Sequence, residues 1–374
     1  MLQKTLGRIL GCALFLYGST ALAFTLIETG PIQTEQLAPS NTITDATTLE
    51  TQIQPTVGAI RAQLLSHRRL KGSARVAHAG RLLAANAHAD SRSDFNYLAA
   101  ALSDSSGAGS GGGTESLWIS AASNSLENDF SRTAFYGATH NLLAGFDVTR
   151  SDKYVLGISA GHEASNFLTT FNFGNQKARG FNVSPYFAYL LSDTWSVDLI
   201  LGYGEFDTRQ SRTLGTGLLT AVAVDSEFAS TRGFVSTNLT NVSAWGNWNL
   251  TGSLGLLAAR GKNDAYVESI GGTTIATIAG TKQTIEQWNL LGEAAYGRGA
   301  SETYVGLLYE RTRDPLKIEF ATGEQPANDP DSVLLTAGWR HFGKGLTANF
   351  VFSRRLAQDQ VNEYGFSMMI RVDL

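Results

Sequence analysis

The C-terminal stretch Tyr364-Gly365-Phe366-Ser367-Met368-Met369-Ile370-Arg371-Val372-Asp373-Leu374 sets the fold class. In an extended strand successive side chains point to opposite faces. Tyr364, Phe366, Met368, Ile370, Val372 and Leu374 therefore share one face, and Gly365, Ser367, Met369, Arg371 and Asp373 share the other. One face wants hydrocarbon and the other tolerates water. The same period of two recurs upstream. Trp195, Val197, Leu199, Leu201 and Tyr203 oppose Ser196, Asp198, Ile200, Gly202 and Gly204, while Phe181, Val183, Phe187 and Tyr189 oppose Asn182, Ser184, Tyr186 and Ala188. Leu346, Ala348, Phe350 and Phe352 oppose Thr347, Asn349, Val351 and Ser353.

From Trp118 to the C-terminus twelve such segments begin near Trp118, Thr139, Tyr154, Gly180, Trp195, Ala229, Trp248, Gln283, Glu302, Ser332, Leu346 and Asn362. Their second face is mostly small and uncharged. A soluble sandwich would surround itself with charge, so lipid outside and water inside is the simpler arrangement. The connections alternate. Tight turns at 149–153, 192–194, 245–247, 297–301 and 342–345 separate long ones at 166–178, 205–228, 261–282 and 312–331, with shorter excursions at 124–132 and 358–361. Short periplasmic turns, longer outer loops and an even strand number are the pattern of an outer-membrane barrel. Trp118, Trp195, Trp245, Trp248 and Trp339 fall near segment ends, as an interfacial girdle requires. The sequence thus predicts an all-β membrane protein, a 12-stranded antiparallel transmembrane β-barrel over 116–374.

Composition agrees and excludes other classes. With 29 basic and 33 acidic residues the net charge is −4, which leaves no cationic surplus for nucleic acid. Mean hydropathy is −0.08, as alternation would give. The single cysteine, Cys12, cannot build a disulfide or a thiolate metal cluster. None of the six histidines lies in an H-E-x-x-H motif, and neither a metal nor a cofactor is expected.

The N-terminus reads as an address followed by a leader. Lys4 and Arg8 precede an apolar stretch that ends in Ala21-Leu22-Ala23, so 1–23 is expected to be a signal peptide that takes Cys12 with it on cleavage. Residues 24–115 form a short leader. Within it Leu49, Ile53, Val57, Ile60, Leu64 and Leu65 recur at three-to-four spacing, predicting a helix over 45–71 with Asp45 as N-cap and Gly72 past its end. Pro55 is close enough to the start to be tolerated. A second helical candidate covers 75–102, and the Gly/Ser-rich 103–113 is a flexible linker.

Chemical motifs are weak. Gly157-Ile158-Ser159-Ala160-Gly161 matches G-x-S-x-G, but no helix follows it, and in a barrel strand these residues would only face the lumen. The run Gly107 to Gly112 fits G-x-G-x-x-G without a strand before it or a helix after it. No enzymatic activity is expected.

Gly306-Leu307-Leu308-Tyr309, Tyr186-Phe187-Ala188-Tyr189, Trp195-Ser196-Val197-Asp198 and the ending from Tyr364 to Leu374 together resemble the C-terminal translocator domain of autotransporters, the type V secretion proteins of Gram-negative bacteria. The resemblance implies an outer-membrane barrel that supports translocation or surface display of its N-terminal segment, with a helix inside the pore. The helix over 45–71 is the first choice for that place, with Ile53, Val57, Ile60, Arg61, Leu64 and Arg68 as its pore-facing residues. Its cations are expected to meet inward charges such as Asp198 and Glu293, alongside Arg340 and Arg371. The resemblance also implies that Tyr364, Gly365, Phe366, Met368, Ile370, Val372 and Leu374 form a membrane-assembly signal, from whose aromatic last residue Leu374 departs. Implied partners are outer-membrane lipid, the outer-membrane assembly machinery and the secretion translocon, with the barrel a monomer. The leader is too short for a β-helical passenger. The alternatives are an outer-membrane barrel enzyme of phospholipase or protease type, or a small adhesin acting through the apolar loops 214–224 and 266–279.

Overall fold

The computed structural model of the protein describes residues 40–84, 114–150, 153–214, 222–313, 327, 329–343 and 345–374. The proposed signal peptide over 1–23 and the Gly-rich linker over 103–113 lie outside them. Among the described residues one helix, α1 (Ser40–Ala84), precedes β1 (Thr114–Asn128), β2 (Phe135–Arg150), β3 (Tyr154–Thr169), β4 (Gly174–Leu190), β5 (Trp195–Leu214), β6 (Val222–Trp245), β7 (Trp248–Asn263), β8 (Tyr266–Ile270), β9 (Thr273–Ile278), β10 (Thr281–Arg298), β11 (Ser301–Thr312), β12 (Asp331–Phe342), β13 (Leu346–Leu356) and β14 (Val361–Asp373).

Each strand pairs antiparallel with its neighbour, and β14 returns to pair with β1, Val372 opposite Leu117. The closed wall has twelve strands, because β8 and β9 form a hairpin that leaves it and pairs with β6 only at Asp225 opposite Ser269. Closure leaves no strand edge of the wall unpaired in the hydrocarbon. Short turns gather at one end, and Gly246, Gly299 and Gly345 occupy the left-handed region there, with φ of 58°, 63° and 66°. The long connections gather at the other end.

Alternation sorts the side chains as the C-terminal stretch predicts. Tyr364, Phe366, Met368, Ile370, Val372 and Leu374 point out of the barrel, as do Leu117, Ile119, Leu254, Leu290, Val305 and Leu307. Ser116, Ser120, Asn141, Ser184, Asn238, Asn289 and Asn349 point in and are buried. No described helix is long and apolar enough to cross a membrane; the strands cross it instead.

Two features differ from expectation. The stretches 166–178 and 205–228 are mostly strand, because β3, β4, β5 and β6 run on beyond the apolar band. There the outward face turns charged, with Lys177, Arg179, Asp207, Arg209 and Glu227 exposed, while Phe206, Thr208 and Gln210 still point inward. The period of two persists after its apolar half has gone, which is why these parts read as loop. Likewise 261–282 contains the β8–β9 hairpin. The second difference is α1, which starts five residues before Asp45 and continues past both Gly72 and Lys71. At its start the Ser40 hydroxyl hydrogen-bonds Thr169 Oγ1 of β3 at 3.0 Å.

Candidate functional site: the occupied lumen

The inner wall of the barrel is polar, and α1 lies inside it. At about 1.5 Å per residue the part from Ser40 to His67 is roughly 40 Å long, enough to pass from one mouth to the other. Its direction follows from its partners. At the long-loop mouth the Asn41 amide N–H donates to Gln210 Oε1 (3.1 Å), the Tyr266 hydroxyl donates to Asn41 Oδ1 (2.9 Å), and Thr44 bonds Gln176. At the short-turn mouth His67 meets β2 and β14.

The apolar stripe seated by spacing is what the helix turns to the wall. Leu49, Ile53, Val57, Ile60 and Leu64 pack with Trp118, Leu143, Val155, Tyr186, Ala188, Ile200, Leu257 and Ala259 in one buried cluster. Burying each aliphatic side chain contributes about 1.5–3 kcal/mol before ordering costs. The wall makes room for its own aromatics: a Cβ on Gly145 would lie 2.3 Å from the Trp118 indole, and one on Gly157 2.1 Å from the Tyr186 ring.

Around that stripe the helix is held by polar groups at three levels. Near the long-loop end Arg355 of β13 gathers three carboxylates: Glu50 of α1 at 3.0 Å, Glu310 of β11 at 2.8 Å and Glu363 of β14 at 2.7 Å. Gln54 donates to the other Glu310 oxygen at 2.7 Å. Lower down, Arg61 donates to Ser236 at 2.7 Å, with Asp198 near enough to act on it electrostatically; Asp198 also accepts from Asn238 at 3.1 Å. At the short-turn end Asp147 accepts from His67 Nε2 (2.7 Å), Gln63 (2.9 Å), Ser116 (2.6 Å) and Tyr186 (2.9 Å). Arg371 donates to His67 Nδ1 at 2.9 Å. A guanidinium only donates, so Nδ1 is the acceptor and the proton of a neutral ring sits on Nε2, facing Asp147.

The residues singled out from sequence distribute as follows. Asp198, Glu293, Arg340 and Arg371 all point inward and are buried. Glu293 forms a two-pronged pair with Arg340 (2.7 and 2.8 Å), and Arg340 also reaches Glu302 at 3.0 Å and lies 3.7 Å over the Tyr304 ring. This pair braces β10 against β12, so Glu293 serves the wall where a helix cation had been expected. Arg68 continues α1, but its side chain lies outside the described residues. His67, Gln63, Glu50, Asp147 and Arg355 were not singled out. The two strand residues occupy inward positions in β2 and β13, where the period of two places them in the lumen; the helix residues lie off the apolar stripe.

Ser159 sits within the unbroken strand β3, buried, with its hydroxyl 3.4 Å from the Ser184 carbonyl. Gly157 to Gly161 therefore make no strand-to-helix elbow. Among the described residues no three His, Cys, Asp or Glu side chains are grouped to hold a metal ion.

Comparison with known proteins points the same way. Residues 117–290 match the family model of the autotransporter β-domain. No curated protein sequence matches the chain. Among solved structures, the translocator domain of the autotransporter NalP from Neisseria meningitidis superposes with a TM-score of 0.58 at 12% identity, over 80% of this chain and 96% of that one. The β-domain of the Bordetella autotransporter BrkA gives 0.53 at 17% identity, over 70% of this chain and 100% of that one. Over residues 117–290 the barrel is similar to the autotransporter β-domain, and its fold is the closed twelve-stranded barrel of autotransporter translocator domains, a fold of the Gram-negative outer membrane.

Proposed function

We propose that the barrel displays its own N-terminal segment at the cell surface and keeps it there by retaining α1 in the lumen. The observation that carries this is the direction of the helix: Ser40 at the long-loop mouth, His67 at the short-turn mouth, and partners from the wall at each level between. Residues N-terminal to Ser40 then leave through the outer mouth. The barrel does no chemistry of its own; its buried ionisable groups are engaged with one another and with the helix. Its partners are outer-membrane lipid and the assembly machinery, which would read β14 from Tyr364 and Gly365 to Leu374; replacing Leu374 with Phe is expected to speed assembly in cells. It acts as a monomer. An epitope placed within residues 24–39 tests the reading. Protease added to intact cells should remove the epitope and leave the barrel whole, whereas an epitope reached only after the outer membrane is opened would overturn it.

A further inference from the structure

Near the long-loop end of the lumen Glu50 of α1 and Glu310 of β11 lie within hydrogen-bond reach of each other, and both lean on the same cation, Arg355 of β13. A carboxylate only accepts, so two carboxyl groups bond each other only when one of them carries a proton. The remaining donors are already placed. Arg355 directs Nε at Glu363 of β14 (2.7 Å), Nη1 at Glu310 Oε2 (2.8 Å) and Nη2 at Glu50 (3.0 Å). Ser332 of β12 donates to Glu310 Oε2 at 3.1 Å, Gln54 to Glu310 Oε1 at 2.7 Å, and Thr51 faces Glu363 at 3.5 Å. Arg61, lower on α1, acts on Glu310 only through space. Among the described residues no other cation pairs with these carboxylates. Fully ionised, the three would surround one guanidinium with two negative charges in excess, where Glu310 and Glu363 are buried. Carboxyl groups this close do not both ionise out of water.

We propose that Glu50 and Glu310 share a proton while α1 is docked, so that the helix is held in the lumen in acid and loosened as the pH rises. This rests on the retention of α1 proposed above and adds a condition that controls it. Glu50 belongs to the helix and Glu310 to the wall, so the pair exists only in the plugged barrel. When α1 leaves, Glu50 passes into water and ionises, while Glu310 and Glu363 keep Arg355 between them with water free to enter. Docking therefore takes up a proton, and undocking releases it. By linkage the docked form is favoured at low pH and weakens as pH rises, and a single proton changes the docking equilibrium by at most about tenfold per pH unit. Glutamine in place of either carboxyl supplies the missing N–H donor at every pH, which removes the dependence.

The test uses the full chain in planar bilayers, with folding followed independently by heat-modifiable gel mobility. Single-channel recording between about pH 6 and pH 9.5 at constant salt measures the fraction of time spent at the larger conductance of an unplugged lumen. In the wild type that fraction should climb with pH, approaching about tenfold per unit in the upper part of the range. In Glu50→Gln it should stay near the low-pH level of the wild type throughout. Every other titratable group, His67 at the opposite mouth included, is common to the two proteins and cancels in the comparison. A wild type that does not respond to pH, or a Glu50→Gln variant that responds as the wild type does, overturns the proposal. Should Glu50→Gln fail to fold, Glu310→Gln is read in the same way. Val57→Ala/Ile60→Ala thins the apolar stripe without touching a titratable group, so it should open more at every pH and keep the wild-type slope. If it opens no more than the wild type, α1 is not what closes the lumen, and the retention reading falls rather than the proton link alone.

Discussion

Arg371, in β14, donates to His67 Nδ1 at 2.9 Å, so the last strand clasps the helix inside the lumen. The other ring nitrogen donates to Asp147, which also accepts from Gln63, Ser116 and Tyr186. Replacing Asp147 with Ala strands four buried donors, each costing about 1–3 kcal/mol when unmet. We expect Asp147→Ala to lower the urea midpoint in liposomes by the equivalent of about 3 kcal/mol or more, with a clearly smaller loss for Asp147→Asn, which keeps one acceptor. Equal stability of the alanine variant and wild type would show that the clasp is idle.

Arg355 holds Glu50, Glu310 and Glu363 within 3.0 Å. Removing the cation from a buried cluster leaves unpaired charge, at a cost of about 3–5 kcal/mol. Arg355→Met should therefore destabilise by that order, and adding Glu310→Gln should restore part of the loss, because one of the stranded carboxylates becomes neutral while still accepting from Gln54. Urea titration of the single and double variants in liposomes measures both. A double variant less stable than Arg355→Met would contradict the account.

Much of this was legible in the sequence because a barrel wall writes its two environments into alternate residues. The starts of β3, β5, β7 and β13 fall at Tyr154, Trp195, Trp248 and Leu346, where the alternation begins. It was less legible where the outside stops being lipid: Arg209 and Glu227 on extended β5 and β6 interrupt the apolar face without ending the strand. The lumen was legible by parity, which put Asp198, Glu293, Arg340 and Arg371 inside, but pairing across the bore was not. Glu293 and Arg340 are 47 positions apart, and nothing local says that they meet. His67 and Glu50 were overlooked because helix spacing draws the eye to the apolar stripe, and both lie beside it.

Gly145 faces inward beneath Trp118, whose Nε1 donates to the Tyr186 hydroxyl at 2.9 Å. A methyl there has no space, and overpacking of this kind costs about 1–3 kcal/mol. Gly145→Ala should lose that much stability by urea titration, and Trp118→Leu added to it should recover some of the loss by vacating the contested volume. Additive losses in the double variant would mean that the glycine is not there for the indole.

Leu307 is 52% exposed on the outer face of β11, opposite Leu335 of β12 and Gly292 of β10. In water such a position tolerates charge at little cost. In a bilayer it faces hydrocarbon, where an arginine near the midplane costs about 2–4 kcal/mol, falling towards zero at the interfaces. The inward neighbour Thr336 faces the polar side of the same wall, where a small polar substitution meets no such barrier. Leu307→Arg should therefore fold into liposomes with a stability lower by about 2–4 kcal/mol, while Thr336→Ser stays within about 0.5 kcal/mol of wild type. The depth dependence sharpens the comparison: Tyr309→Arg, one outward position nearer the long-loop end, should cost less than Leu307→Arg. If all three variants unfold alike, the outer face is not in contact with lipid, and the membrane position of the barrel would have to be abandoned.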